Sequence, residues 1–460
     1  MLARCGSGFG LLALADLLAR ESRGGDVASP FAVRAPHHAA RAKRVIFLYM
    51  PGGPSHVDLF DPKPLLTRDH GKPLPFPKPK LERTKTGNLL KSPWKFARHG
   101  RSGIEVSELL PHTASHVDDL CVIRSLAADN INHTGAAAQM CTGEQAFSRP
   151  SIGSWLTYGL GTENQNLPGF IVLCPHDVFQ GAQLWASSFL PSAYQGTLVR
   201  DLQNPIANLR DPLDDPARQR AKIEALRELN AIHARERPIA GRQAVDGALE
   251  ARIAAFELAF HMQREAPEAF DLQRESAATH RLYGLDDEQT QLFGRQCLLA
   301  RRLVERGVRF VQVFDAPENN VWDHHNKLFE NLPQRCRAVD RPIAGLLADL
   351  KSRGLLEDTL VVWGGEFGRT PTAQGDNGRE HNPFGFTMWL AGGGVRGGHV
   401  HGATDDYGWY AVQDRVHVHD LHATILHLLG LDHERLTYRY GGRDYRLTDV
   451  YGEVVRGVLA

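Results

Sequence analysis

The sequence predicts an α/β fold, with a mostly parallel central sheet flanked by helices and one helical insertion. Three observations predict it: short apolar runs recur along the chain, several end in glycine or proline, and helical patterns separate them. An apolar run without polar alternation fits a strand buried on both faces, the situation of a parallel sheet covered by helices. The first run is Arg44-Val45-Ile46-Phe47-Leu48-Tyr49-Met50, closed by Pro51-Gly52-Gly53-Pro54. Further strands are expected at 119–123, 170–173, 308–314, 360–363 and 386–390. A helix over 291–305 precedes the strand at 308. Another, over 340–353, carries Ile343, Leu346, Leu347 and Leu350 on one face and precedes the strand at 360. Such alternation implies layered α/β architecture.

The stretch of about 213–275 differs. It is rich in Ala, Glu, Arg and Leu and reads as two amphipathic helices broken near Pro238. A last helix is expected from Asp420, as N-cap, to Leu429, stopped by Gly430. The 460 residues are 42% hydrophobic, enough for a sizeable core. Lys+Arg and Asp+Glu number 53 each, which argues against broad electrostatic binding to nucleic acid or an anionic membrane. The six cysteines are scattered with no CxxC spacing, so neither a zinc knuckle nor a disulfide framework is indicated, though one or two bridges stay open. Residues 1–15 are apolar and Gly/Ala-rich and too short to span a bilayer. Residues 1–27 are expected to be a truncated export signal of twin-arginine type, no Arg-Arg pair being present, or else an ordinary amphipathic helix; 28–43 are expected to be a linker and 44–460 one domain.

Five segments combine chemically able side chains with small or turn-forming residues. Ser55-His56-Val57-Asp58 follows the first strand, and sites in open α/β sheets form beyond the carboxyl ends of strands. Asn132-His133-Thr134-Gly135 leads into small residues and reads as a helix start, where His133 or Thr134 serves as nucleophile or ligand. In Trp322-Asp323-His324-His325, Asp323 and His325 stand two apart and can face one side of an extended loop. In Gly365-Glu366-Phe367-Gly368-Arg369, Glu366 stands at a strand end as a ligand or base, and the Arg369 fork suits an anionic oxygen. In Arg379-Glu380-His381, His381 is the best third ligand to join Asp323 and His325, because an Asp with two His is a common open metal set.

Together these segments resemble the alkaline phosphatase/sulfatase superfamily, and more narrowly the DUF1501 family abundant in Planctomycetes. The matching pieces also include Leu390-Ala391-Gly392-Gly393-Gly394, Gly402-Ala403-Thr404-Asp405 and Asp420-Leu421-His422-Ala423-Thr424, and run from about residue 44 to 433. The resemblance implies a divalent metal held by Asp323, His325 and His381. It implies a second metal on Asp58 and an Asp-His pair, but Glu366 and Phe367 stand in the places of that pair, so the second site is weakened, rebuilt or absent. Where sulfatases carry a modified Cys or Ser this chain has His133, with Thr134 next, which argues against formylglycine and leaves Thr134 as the nearest nucleophile. The activity implied is an exported, metal-dependent hydrolase of phosphate or sulfate esters. Its substrate would be a small molecule or glycan, with Arg369 steadying the anion. The alternative is a degenerate member that binds without turnover. Zinc suits the histidine content, and calcium or manganese a carboxylate-rich version.

Overall fold

In the computed structural model, which describes residues 30–79, 85–179, 181–202, 205, 216–236 and 243–460, nine strands form one central sheet. Across it the order is His399–His401, Leu120–Ala127, Phe386–Ala391, Thr359–Gly364, Arg44–Tyr49, Phe310–Phe314, Phe170–Leu173 and Thr197–Val199. A short strand, Val416–His417, extends the first edge alongside Leu126 and Ala127. Eight strands run one way and only Phe386–Ala391 runs against them. This reversal matters for function. It brings the amino end of that strand, and the segment before it, to the edge where the other strands present their carboxyl ends.

Both sheet faces are buried, which is why the strands read as unbroken apolar runs. Ile46, Leu48, Val311, Val313, Val361 and Trp363 pack on one face with Leu298 and Leu346 of the helices Gln291–Glu305 and Leu328–Ser352. Val45, Phe47, Phe310, Leu360 and Val362 pack on the other with Met140, Trp155 and Leu421 of the helices His133–Thr142, Ile152–Leu160 and Val418–Leu428. Each such side chain taken fully from water stabilises the fold by roughly 1.5–3 kcal/mol.

The strands at Arg44, Phe170, Phe310, Thr359 and Phe386 and the helix Gln291–Glu305 lie where the sequence puts them. The helix expected from Asp340 starts earlier, at Leu328. It runs through Pro333 and Pro342, each of which removes a helical hydrogen bond. The buried stripe Leu332, Cys336, Val339, Ile343 and Leu346, spaced by threes and fours, outweighs that loss. Asp420 is not an N-cap. His417 holds that position, and Asp420 accepts its backbone N–H at 2.8 Å from the third helical position.

The insertion contains the helices Pro216–Glu236 and Gln243–Phe270, the second packed into the core through Met262, Ala266, Ala269 and Phe270. Residues 1–27 and the expected break near Pro238 lie outside the described residues. Cys121, Cys141, Cys174, Cys297 and Cys336 are buried free thiols, so no bridge joins any of them. Among the described residues no helix is long and apolar enough to cross a membrane.

Asp315 caps the strand Phe310–Phe314 and accepts the Trp322 indole N–H at 2.8 Å. Burial pushes its carboxyl up to about 6, against the opposing pull of Arg335 and this hydrogen bond. The folded carboxyl therefore holds its proton more tightly than the unfolded one, at about 3.9. Its contribution to stability is complete below about pH 4 and is lost as pH rises through 6, to a total of roughly 3 kcal/mol. Asp315→Asn keeps the acceptor for Trp322 without the charge. In urea unfolding, its stability relative to wild type is expected to climb from near zero at pH 4 toward that figure above pH 7. A difference that does not change with pH would contradict the assignment.

Candidate metal centre

Five chain segments meet at the edge formed by the strand carboxyl ends. The first strand ends in Pro51-Gly52-Gly53, where Gly52 and Gly53 take φ of +114° and +83°. A Cβ on Gly52 would lie 2.5 Å from the backbone N of Asp323, and one on Gly53 2.7 Å from the Phe367 ring. Only glycine lets these loops approach so closely. Trp322 is fully buried and its backbone N–H donates to the Pro51 carbonyl at 3.1 Å, which fixes the neighbouring Asp323. Asn132 caps the next helix by accepting the Thr134 N–H at 2.9 Å, so His133 opens its first turn. His381 arrives on a hairpin, Gly368–Gln374 with Gly378–Asn382, in which it pairs with Arg369. No strand signal marks this stretch in the sequence, because its buried face is built of Gly, Arg, Thr and Pro and shows no apolar alternation.

Ligand atoms of His133, Asp323, His325 and His381 all lie within 4.8 Å of one another. Each ring nitrogen has a defined role. His381 Nδ1 is 2.6 Å from the Ile131 carbonyl, which can only accept, so Nδ1 carries the proton. His325 Nδ1 donates to Gln374 Oε1, and Gln374 is held in that orientation by its Nε2 donating to Glu380 at 3.1 Å. His133 Nδ1 donates at 2.7 Å to Glu366 Oε1, an oxygen that also accepts the Gly52 N–H at 2.9 Å. With Nδ1 donating outward, the Nε2 atom of each ring, when neutral, presents a lone pair. These Nε2 atoms stand 3.0 Å (His133), 3.0 Å (His325) and 3.2 Å (His381) from the Asp323 carboxylate. His133 Nε2 is buried and, although close to Asp323, lies off the line of a hydrogen bond. Lone pairs facing a carboxylate repel unless a proton or a cation stands between them. Burial, with the charges of Arg369 and His133, depresses His381 to about 4 against the opposing pull of Asp323, so at neutral pH no proton is there. Burial alone would lower His133, but the nearby Asp323 and Glu366 carboxylates hold it above its ordinary value. Burial alone would raise Asp323, but Arg369 and the three imidazoles hold it well below the usual carboxylate range. The group fits a divalent cation, its Nδ1 atoms anchored by a second layer of acceptors as metal-binding histidines are.

The structure gives other expected site residues different roles. Asp58 does not join the cluster. It is fully buried in a two-pronged pair with Arg379, Nε to Oδ2 at 2.7 Å and Nη2 to Oδ1 at 3.1 Å, and it also accepts the Ser55 hydroxyl at 2.5 Å. Arg369 does not face an anion. Fully buried, it donates to the carbonyls of Gly52, Gly53, Trp322 and Arg379 and, at 2.7 Å, to Asp323 Oδ1. Glu366 supports the cluster from one bond away, held by the Tyr49 hydroxyl at 3.0 Å and by Gly52. Phe367 packs against two rings of the group, with ring centroids 4.4 Å from His381 and 5.0 Å from His133. Thr134 is exposed at the helix start. His324 is buried outside the group, and burial with the Arg369 charge depresses it to about 3. The sequence reading missed Gln374, Glu380 and Arg379, whose partners are visible only once the hairpin is formed.

The model of one family, described as "Protein of unknown function (DUF1501)", matches residues 42–459. The chain belongs to the DUF1501 family. No curated protein matches this DUF1501 sequence. Among solved structures, it is similar to the lipoteichoic acid synthase LtaP from Listeria monocytogenes at 9% identity and a TM-score of 0.38, covering 91% of this chain and 78% of that one. It is similar to the PsFucS1 sulfatase from Pseudoalteromonas sp. at 14% and 0.35, covering 86% and 69%. It is also similar to the alkaline phosphatase of the Antarctic bacterium TAB5 at 10% and 0.29, covering 78% and 93%. Likenesses this slight carry no residue across, and the site rests on the chain's own geometry.

Arg379→Met leaves the Asp58 carboxylate buried without a countercharge and is expected to cost about 3–5 kcal/mol in urea unfolding. Asp58→Asn, by contrast, is expected to leave metal stoichiometry unchanged when bound elements are measured by mass spectrometry. A loss of metal in that variant would return Asp58 to the ligand set.

Proposed function

We propose that this DUF1501 protein is a metal-dependent hydrolase of phosphate or sulfate esters that works outside the cytoplasm. The observation that carries the reading is the convergence of three imidazole Nε2 atoms on one carboxylate. His133, Asp323, His325 and His381 would hold the cation, and a set of three nitrogens and one oxygen favours zinc over calcium. A cation held there supplies Lewis acidity toward an ester oxygen and makes water more acidic. Glu366 and Tyr49 keep His133 in the tautomer that offers Nε2 to the site. Thr134, next in the chain and exposed, is the candidate nucleophile, at the positive end of the helix His133–Thr142, which favours an anionic substrate. Because Arg379 neutralises Asp58, the reading calls for one cation and not two. Export is supported by the apolar, Gly/Ala-rich stretch at residues 1–15.

A second reading, a protein that binds an anion or glycan without turnover, draws on one observation. Arg369, the cation expected to meet the substrate, is fully enclosed by carbonyls and Asp323. The two readings part on turnover. Wild-type protein loaded with zinc or manganese is expected to hydrolyse an aryl phosphate or aryl sulfate. A chelator is expected to abolish the activity, and Asp323→Ala and His381→Ala to lower it at least about 100-fold without unfolding the chain, the scale seen when a group stabilising the transition state is removed. Full activity in Asp323→Ala would end the hydrolase reading, and metal-replete protein inert on both ester classes would favour the second.

A further inference from the structure

A cleft of about 1,040 Å³ shares one loop with the metal centre but none of its four residues. Asp129 lines the cleft, and two residues on, the Ile131 carbonyl accepts His381 Nδ1. Pockets that enclose a drug-sized ligand run to about 300–1,000 Å³, so this one has room for a whole small molecule. Gly143, at the far end of the helix His133–Thr142, forms part of the wall, and residues 449–453 form another part. That second stretch is clamped along the helix Val418–Leu428. The Glu453 N–H donates to Asp420 Oδ1 at 2.8 Å, and the Val455 N–H to Thr424 Oγ1 at 2.9 Å.

The lining is acidic. Six of its fifteen residues are Asp or Glu, and one, the exposed Arg415, is an arginine. Arg149, Arg446 and Arg443 stand against Glu144, Glu434 and Asp449. The other three carboxylates are differently placed. His417 Nε2 donates to Asp129 at 2.9 Å, Asp420 accepts the N–H groups of His417 and Glu453, and Glu453 is exposed. Among the described residues no lysine or arginine pairs with any of these three. Such a lining repels phosphate and sulfate and draws in cations.

Two further features single out the kind of cation. Tyr451 is 61% exposed, yet its ring is fixed, lying parallel to the His419 ring with centroids 5.2 Å apart and 6° between the planes. One face of the phenol is covered and the other is open to the cleft, the arrangement in which an aromatic ring receives an ammonium group. His419 lines the cleft at 5% exposure. Its Nε2 donates to the Gly143 carbonyl at 2.9 Å, so Nδ1 is a bare acceptor, and no donor reaches it. Burial holds this imidazole below its ordinary value, against the effect of the Gly143 bond, so it stays uncharged near neutral pH. A buried acceptor without a donor opposes folding, and an N–H brought by a ligand relieves that.

We infer that this cleft binds the ammonium group of an organic amine over the open face of Tyr451, with Asp420 and Glu453 supplying the countercharge and His419 Nδ1 accepting an N–H. The site is separate from the metal centre and does not depend on the ester hydrolase reading. Calorimetry with glucosamine and with spermidine distinguishes an amino sugar from a polyamine as the source of the amine. N-Acetylglucosamine is the uncharged control. The variants are Tyr451→Leu, which keeps apolar cover over His419 but has no aromatic face, Glu453→Gln, which keeps the shape without the charge, and the two combined.

The full-length protein is expected to bind glucosamine or spermidine, and N-acetylglucosamine far more weakly than glucosamine. Each single variant is expected to weaken amine binding about three-fold or more, and the double variant about ten-fold or more, the scale of a cation over an aromatic ring together with one charged contact. Tm is expected to stay at the wild-type value, because both residues are exposed. Wild-type affinity in the double variant would overturn the placement of the site. Failure to bind either amine, or equal affinity for glucosamine and its acetylated form, would overturn the assignment of an ammonium ligand.

Discussion

The contact between Arg369 and Asp323 holds the centre together. One guanidinium, with no exposure to solvent, ties together the Gly52-Gly53 turn, the Trp322-Asp323 loop and the hairpin that carries His381, while its 2.7 Å bond fixes Asp323 Oδ1. A bare carboxylate in that position would meet three imidazoles whose Nδ1 protons are each directed outward. Arg369 makes it tolerable to bury Asp323 in its ionised form, and the Nδ1 acceptors decide which face of each ring looks inward. Charge, tautomer and loop geometry are therefore one arrangement.

The second buried pair explains why one cation centre is expected and not two. Asp58 follows the first strand, where a carboxylate is well placed to bind metal, but Arg379 reaches it from the hairpin with both prongs and no water access. Phe367 occupies the neighbouring space and packs against the His133 and His381 rings. A guanidinium and a phenyl ring thus stand where further ligands would have to be, and they brace the single group that remains. The antiparallel strand Phe386–Ala391 makes this possible, because it returns the chain so that the hairpin hangs over the strand ends.

Much of the fold could be read from the chain because its signals are local. Strands buried on both faces show as apolar runs, and Asp323, His325 and His381 stand out as ligand types beside small residues at the ends of such runs. What was not legible depends on residues distant in sequence. Asp58 and Arg379 are 321 residues apart, and nothing near either one announces the pair. Arg369 looks like an anion binder in sequence and becomes an internal strut only once carbonyls from three segments surround it. The hairpin was hidden because its buried residues are polar and paired. The helix that begins at Leu328 runs through Pro333, and its apolar stripe offsets the hydrogen bond lost there. His133 stands out in sequence as a nucleophile or ligand type, but its approach to Asp323 depends on the strand order, which no local signal shows.

The most direct test of a single cation centre built from these four residues is anomalous diffraction from crystals grown with zinc, recorded on both sides of the metal edge. The account predicts one strong peak at about 2.0–2.2 Å from Nε2 of His133, His325 and His381 and from an oxygen of Asp323, with none at Asp58. Crystals with no peak inside this group, or with a peak bonded to Asp58 and Arg379 displaced from it, would contradict it.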